Sequence, residues 1–229
     1  MHVAGPLLPA TFVRRDNRFR ATVELDGHQV AVHVPNSGRL HELFTPGRRV
    51  LVRPVQSAHR KTAYDLVMVW VDGHLVSLDA RLPGPLFAEA VREGRLPEFA
   101  GYTQVREEVA LGHSRIDVLL EGNGPRCWVE AKSVTLVEGG TAMFPDAVTA
   151  RGKRHVEELA DAVRAGERAA VVFVVQREDA VRFAPHDASD PDFGQALRAA
   201  AAAGVEVYAY TCYVSAGEIR IAKRIPVVL

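Results

Sequence analysis

The 229-residue chain is short of several things, and each shortage excludes something. It has two cysteines, Cys127 and Cys212, far apart and each inside an apolar run. No CxxC pair exists, so a zinc site is not expected. Reduced, buried thiols fit a cytoplasmic setting. No apolar run approaches the ~20 residues that span a bilayer, so no membrane partner is expected. The first residues have no charged segment leading into an apolar one, so no signal peptide is expected. Lysine is scarce beside arginine, and there is no repeat, low-complexity tract or Gly-rich nucleotide loop. Net charge is also lacking: 28 basic residues face 28 acidic ones, which argues against indiscriminate binding to polyanions.

What charge there is lies unevenly. Residues 1–61 hold ten Lys/Arg against four acids, a net of +6, and the remainder carries −6. A basic amino-terminal module on an acidic remainder is an electrostatic signature of nucleic-acid binding, and equally of a solvated surface with chance asymmetry. The 48% apolar content suffices for a core, in one large or two small domains.

The first part reads as all-β. Runs at 22–25 and 28–34 flank Asp26-Gly27, and runs at 64–71 and 74–78 flank Asp72-Gly73, both strong hairpin turns. With 49–53 these make five strands, which suit a small OB-like β-barrel, a sandwich fragment being the alternative. Two prolines and a glycine at 80–86 mark a boundary, giving domains 1–81 and 82–229. Beyond it the pattern predicts a helix at 85–94 and strands at 102–111, 115–120 and 126–132. A helix capped by Asp146 or Thr149 then runs to about 166. A doubly buried strand at 169–175, a helix at 192–203 and a strand at 205–210 follow. This α/β (α+β) order describes a mixed sheet flanked by helices.

The chemistry concentrates in SRIDVLL at 114–120 and CWVEAK at 127–132. If the two runs pair, Asp117 reaches the face that Glu130 and Lys132 share in an extended strand. Two carboxylates supply hard oxygen ligands for Mg²⁺ or Mn²⁺, and the Ala131 carbonyl is a further candidate ligand. Lys132 could orient a water or stabilise charge on a phosphate. Glu108 could add a carboxylate. A solvent-facing Glu130–Lys132 pair is the bland reading. Against it, the acids interrupt apolar runs, where an uncompensated charge is costly.

On a helix from about 149, Arg151 and His155 lie one turn apart and could bind a phosphate, with Val148, Val156, Leu159 and Val163 on the buried side. In the amino-terminal part, Arg14, Arg15, Arg18 and Arg20 interleave with Phe19. The arginines are expected to face solvent and phosphates, and Phe19 the core. Asn36, Ser37 and Gly38 could present N–H groups to an anion beside Arg39, or form an ordinary β-turn.

Taken together, these segments resemble the sugar fermentation stimulation protein family, SfsA. The matching pieces include HVPNSG at 33–38, TPG at 45–47, Gly101-Tyr102, SRID at 114–117, EAKSVTL at 130–136 and FPDAVT at 144–149. Arg151-Gly152, His155, Glu158-Leu159 and the terminal PVVL at 226–229 extend the likeness over nearly the whole chain. The resemblance implies an amino-terminal OB-like barrel and a carboxy-terminal PD-(D/E)xK nuclease-like domain with its motif at Asp117, Glu130 and Lys132. It also implies largely non-specific DNA binding and a bacterial link to regulation of sugar (maltose) metabolism. A cysteine common in the family's turn is Val34 here, and junction asparagines are replaced by Asp79 and Gly84.

Three functions compete: a DNA-binding protein with a Mg²⁺-dependent nuclease site, a non-catalytic DNA-binding regulator, and a sugar- or phosphate-metabolite enzyme. No sugar-site signature supports the third. Asp117, Glu130 and Lys132 are the expected catalytic set, with Asp117, Glu130 and Ala131 on the metal. Arg14, Arg15, Arg18, Arg20, Asn36, Ser37, Arg39, Arg151 and His155 are expected on nucleic acid. A second copy of the chain is a further candidate partner.

Overall fold

Both Asp-Gly pairs turn a hairpin. Asp26 and Gly27 have φ of 51° and 77°, Asp72 and Gly73 of 49° and 87°, the left-handed pair that a two-residue turn between twisted strands needs. The structure is a computed structural model and describes residues 1–56 and 60–229. Its first strands are β1 (Leu8–Asn17), β2 (Arg20–Leu25), β3 (His28–His33), β4 (Arg49–Pro54), β5 (Tyr64–Val71) and β6 (His74–Ser77). They are ordered β3-β2-β1-β4-β5-β6, and β3 also pairs with β5 in parallel through Val32–Tyr64 and His33–Asp65. That extra pairing closes β1–β5 into a five-stranded barrel of the OB type and disposes of the sandwich.

The expected count of five needs correcting. The fifth barrel strand is β1, while β6 hangs outside the ring on β5. The end of β1, Arg14–Asn17, is uniformly polar, so the tail carries no strand signature. Phe12 alone of its large side chains is fully buried.

The rest of the chain forms α1 (Pro83–Arg92), β7 (Tyr102–Leu111), β8 (Ser114–Gly122), β9 (Gly124–Val134), β10 (Val137–Glu138), β11 (Thr141–Phe144), α2 (Ala150–Arg164), β12 (Arg168–Val175), β13 (Arg182–Pro185), α3 (Pro191–Ala202), β14 (Glu206–Val214) and β15 (Ile219–Ile225). The large sheet is ordered β15-β14-β12-β9-β8-β7. Its β12 runs parallel to both β9 and β14, and β8 and β15 are antiparallel to their inner neighbours. Central β12 is covered on both faces, which is why it reads as an unbroken apolar run. The sequence pattern misses β10, β11 and β13, which make a separate three-stranded sheet, and β15, whose Arg/Lys alternation is that of an edge strand.

One face of the large sheet packs on α1, on Val67 and Met68 of the barrel strand β5 and on Leu75 of β6, so barrel and sheet share a core. The other face packs on α2 and α3. Gln176, just past β12, fixes the joint. Its carbonyl accepts the Ser77 N–H at 3.0 Å, and its Nε2 donates to the Asp79 carbonyl (3.0 Å) and Ser133 Oγ (2.8 Å).

Of the two candidate caps for α2, Thr149 does the work: its Oγ1 accepts the Gly152 N–H at 3.0 Å. Val148 is not on the buried side of that helix. It precedes the cap and is 73% exposed. Phe19 is likewise outside the core, 48% exposed in the β1–β2 turn. With only Arg18 and Phe19 between β1 and β2, the turn is too tight to return the ring to the barrel interior. Cys127 and Cys212 are free and buried, and burial pushes both thiols up to about 12. Among the described residues no helix is long and apolar enough to cross a membrane.

Candidate metal and nucleic-acid site

The site forms where the β8–β9 ladder opens. The last regular pair beside it is Val118–Val129. One step on, Asp117 turns its side chain to the neighbouring strand, and its Oδ2 accepts the Ala131 N–H at 2.8 Å. Glu130 and Lys132 share a face of β9, as strand alternation requires, and Lys132 Nζ donates to Glu130 Oε1 at 2.6 Å. The hairpin thus brings Asp117, Glu130 and Lys132 together.

Helix α2 supplies the next layer. Arg151 Nε lies 3.2 Å from His155 Nε2, and His155 Nδ1 lies 2.5 Å from Glu130 Oε1. A guanidinium only donates, so His155 accepts at Nε2, which assigns the ring proton to Nδ1 and points it at Glu130. His155 is 2% exposed with both ring nitrogens engaged. The expectation that it meets a nucleic acid is therefore corrected. It steadies a carboxylate instead, because the apolar side of α2 carries it inward.

The electrostatics of the pair are lopsided. Burial works to raise Glu130, but Lys132 and His155 outweigh it and hold the carboxyl below its ordinary value. Burial, and then the charge of Glu130, push Asp117 up to about 7, against the pull of the Ala131 N–H and Lys132. Both donors to Glu130 converge on Oε1, leaving Oε2 buried without a partner. A divalent cation fits this arrangement: it would engage the orphan oxygen and let both carboxylates ionise together. Among the described residues no group of three His, Cys, Asp or Glu converges as a ready-made metal cluster. Glu108 does not join the pair. It sits at a left-handed kink (φ 58°), exposed and paired with Arg115 at 3.1 Å. Two carboxylates and a carbonyl remain a workable set for Mg²⁺, which keeps several waters.

A cleft of about 410 Å³ opens over these groups. Its floor includes Asp117, Glu130, Ala131 and Lys132, and its rim includes Arg151 from α2 and Arg18, Asn36, Ser37 and Gly38 from the barrel. The barrel loop approaches closely. A Cβ on Gly38 would lie 2.4 Å from Asp146 Oδ2, the oxygen that also accepts the Leu40 N–H at 3.3 Å. A second hollow of about 580 Å³ continues outward, lined by Arg15, Arg18, Arg39, Phe44 and Val148 among others.

The barrel arginines divide by what they touch. Arg14 and Arg20 pair with Asp16 at 3.1 and 3.5 Å, away from the cleft. Arg15 clamps the loop, donating to the carbonyls of Arg18 (2.6 Å) and Arg39 with its guanidinium over Phe44. Asn36 is buried, accepting the Gly38 N–H at 2.8 Å and donating to the Leu78 carbonyl at 3.0 Å, so its amide shapes the turn. Arg18, Ser37 and Arg39 line the hollows.

Comparison with known proteins places this arrangement. The family model described as the SfsA N-terminal OB domain matches residues 13–78, and the model described as the sugar fermentation stimulation protein RE domain matches residues 81–218. The chain belongs to the sugar fermentation stimulation protein family. A relative from Moorella thermoacetica is 50% identical over 91% of this chain and 90% of its own. One from Geobacter metallireducens is 47% identical over the full length of both. The solved structure of Pyrococcus furiosus SfsA in complex with Ca²⁺ is 35% identical, with a TM-score of 0.91, covering 100% of this chain and 98% of that one. The OB-like barrel and the mixed sheet flanked by helices are thus the architecture of the family.

Gly84 and Asp79, where the resemblance leads one to expect asparagines, lie near the cleft. Gly84, at the start of α1, faces Asp117: a Cβ there would meet the Asp117 Cβ at 3.3 Å. Asp79 holds Arg81 through bonds of 2.8 and 2.6 Å. Sequence reasoning missed the loop-to-loop contact of Asp146, because its partner lies 106 residues earlier. The only available signal was its place in the FPDAVT block.

Proposed function

We propose that this protein binds DNA and that its Asp117–Glu130–Lys132 cleft is a Mg²⁺- or Mn²⁺-dependent site for phosphodiester hydrolysis. One observation carries the reading: Glu130, held on one oxygen by Lys132 and His155, keeps its other oxygen buried and unpartnered beside Asp117, a carboxyl raised by burial and then by the Glu130 charge. The Ca²⁺ bound by the Pyrococcus furiosus relative supports a divalent cation. When bound, the cation supplies Lewis-acid polarisation of a phosphate and acidifies a water. Asp117, Glu130 and the Ala131 carbonyl would hold it. Lys132 lies where it can orient a water or meet charge growing on a phosphate oxygen. His155, braced by Arg151, fixes the Glu130 rotamer. Arg18, Arg39 and the outer nitrogens of Arg151 neutralise the strand's phosphates. In this reading residues 1–81 track the backbone, residues 82–229 carry the chemistry, and the partner is cytoplasmic DNA.

A second reading, a non-catalytic DNA-binding regulator of sugar (maltose) metabolism, draws on Glu130 being already neutralised by Lys132 and on the absence of a third carboxylate among the described residues. Labelled single- and double-stranded DNA incubated with Mg²⁺, Mn²⁺ or EDTA separates the two. Cutting that needs metal and disappears in Asp117→Ala and Lys132→Ala is expected. Binding without cutting favours the regulator, and cutting that survives both substitutions does not come from this site.

A further inference from the structure

The barrel presents an aromatic surface that the metal site does not use. Phe19, 48% exposed, lies against His33 with ring centroids 6.4 Å apart and planes 27° from parallel. Its backbone is pinned: the Phe19 N–H donates to Asn17 Oδ1 at 3.0 Å, and its carbonyl accepts the Val34 N–H at 3.0 Å and lies 3.0 Å from His33 Nδ1. The ring is therefore held out by an ordered turn. Beside it opens a hollow of about 510 Å³ lined by Phe19, His33, Arg20, Arg60, Lys61 and Arg81 among others. This is the barrel mouth where the β1–β2 turn meets residues 60–62, just before β5, the place at which OB-type barrels receive oligonucleotides.

Two further observations point to a strand of nucleic acid. The hollow shares Asn17 with the 580 Å³ hollow, which shares Arg18 with the cleft over Asp117 and Glu130. The three form one run across the molecule. The mouth is also not simply cationic. Arg60 and Arg53 are paired with Asp65, and Arg81 with Asp79. Lys61 remains without a carboxylate partner among the described residues, so the mouth offers a cation for a phosphate beside an aromatic pair for a base.

We infer that Phe19 and His33 are a stacking platform for an unpaired base, and that the strand running from them to the Asp117–Glu130 cleft is single-stranded DNA. The inference rests on the proposed DNA-binding function and names the form of DNA. In a duplex each base face is covered by its neighbours, so a ring on the protein surface finds none to stack on. An unpaired base offers its faces, and stacking on an aromatic is tolerant of sequence.

The test is equilibrium binding in EDTA, where nothing is cut, using a fluorescent single-stranded oligonucleotide and the same sequence closed into a duplex hairpin. Phe19→Ala should weaken single-strand binding roughly 5- to 150-fold, the span of one lost base–aromatic stack, and leave duplex binding unchanged. Phe19→Tyr should retain it, and His33→Ala should lose part of it with the same strand selectivity. The Phe19 ring is outside the core, and an unchanged unfolding midpoint checks that each variant folds. Single-strand affinity unaffected by Phe19→Ala, or lost equally for both forms, overturns the platform. Binding of neither form overturns the platform and the DNA reading together. The outcome is independent of chemistry at the metal site: Asp117→Ala can abolish cutting while strand selectivity persists.

Discussion

At the scale of single residues the site is a problem of two acids that cannot both be charged without help. Asp117 holds a proton up to about 7 in the metal-free fold, against roughly 3.9 in an unfolded chain. The folded state then binds that proton more tightly, so this group's contribution to stability falls as pH rises from about 4 to about 7 and is fully lost above that. Asp117→Asn removes the penalty and keeps an acceptor for the Ala131 N–H. In EDTA at about pH 8 the variant should be more stable than the parent by on the order of 1–3 kcal/mol, with no gain at about pH 4. It should also lose any rise in melting temperature on adding Mg²⁺. Urea unfolding at the two pH values measures this, and a variant less stable at high pH sinks the account. Asp117, Glu130 and Lys132 were legible in the sequence because charges inside apolar runs need a reason. The inward turn of His155 was not, since its partner Glu130 lies 25 residues away. Phe19 misled for the opposite reason: an aromatic in a strand-like run is usually core, and only the tightness of its turn puts it outside.

At the scale of elements, what the sequence showed was local and what it hid was not. The Asp-Gly turns, the doubly buried β12 and the glycine-terminated helices each follow from a few adjacent residues. Edge strand β15 and the short β10, β11 and β13 are held by pairing with distant segments, which no local pattern encodes. Helix α2 combines both kinds. Its start is set locally by Thr149 Oγ1 on the Gly152 N–H, and at long range by Asp190, which caps α3 and also accepts the Thr149 N–H at 2.7 Å. Gly152 suits this cap, since a Cβ there would lie 2.8 Å from the Thr149 side chain. Thr149→Ala should cost about 1 kcal/mol of stability, and Thr149→Ser should restore most of it. Because the first turns of α2 carry Arg151 and His155, metal-dependent stabilisation should drop in Thr149→Ala and recover in Thr149→Ser. Calorimetric melts with and without Mg²⁺ compare the two. Equal metal response in both variants would separate the cap from the site.

At the scale of the whole molecule, the +6 amino-terminal segment overstates what a polyanion meets. Arg14 and Arg20 are occupied by Asp16, Arg53 and Arg60 by Asp65, and Arg15 by backbone carbonyls. Along the run of hollows, Arg18, Arg39 and Arg151 are the arginines with neither a carboxylate partner nor a clamp on backbone carbonyls among the described residues. A shared core and the Gln176 bonds hold barrel and sheet together, so these three sit at set positions relative to the carboxylates. Single-strand binding that neutralises roughly three phosphates should show a slope of log affinity against log salt of about −2, far shallower than a net charge of +6 suggests. Arg18→Ala and Arg39→Ala should each flatten that slope by about 0.7, whereas Arg14→Ala, at a residue that lines none of the hollows, should leave it unchanged. Titrations at several salt concentrations decide the matter. If removing Arg14 flattens the slope as much as removing Arg18, the strand runs over the outer face of the barrel and not along the hollows that lead to Asp117.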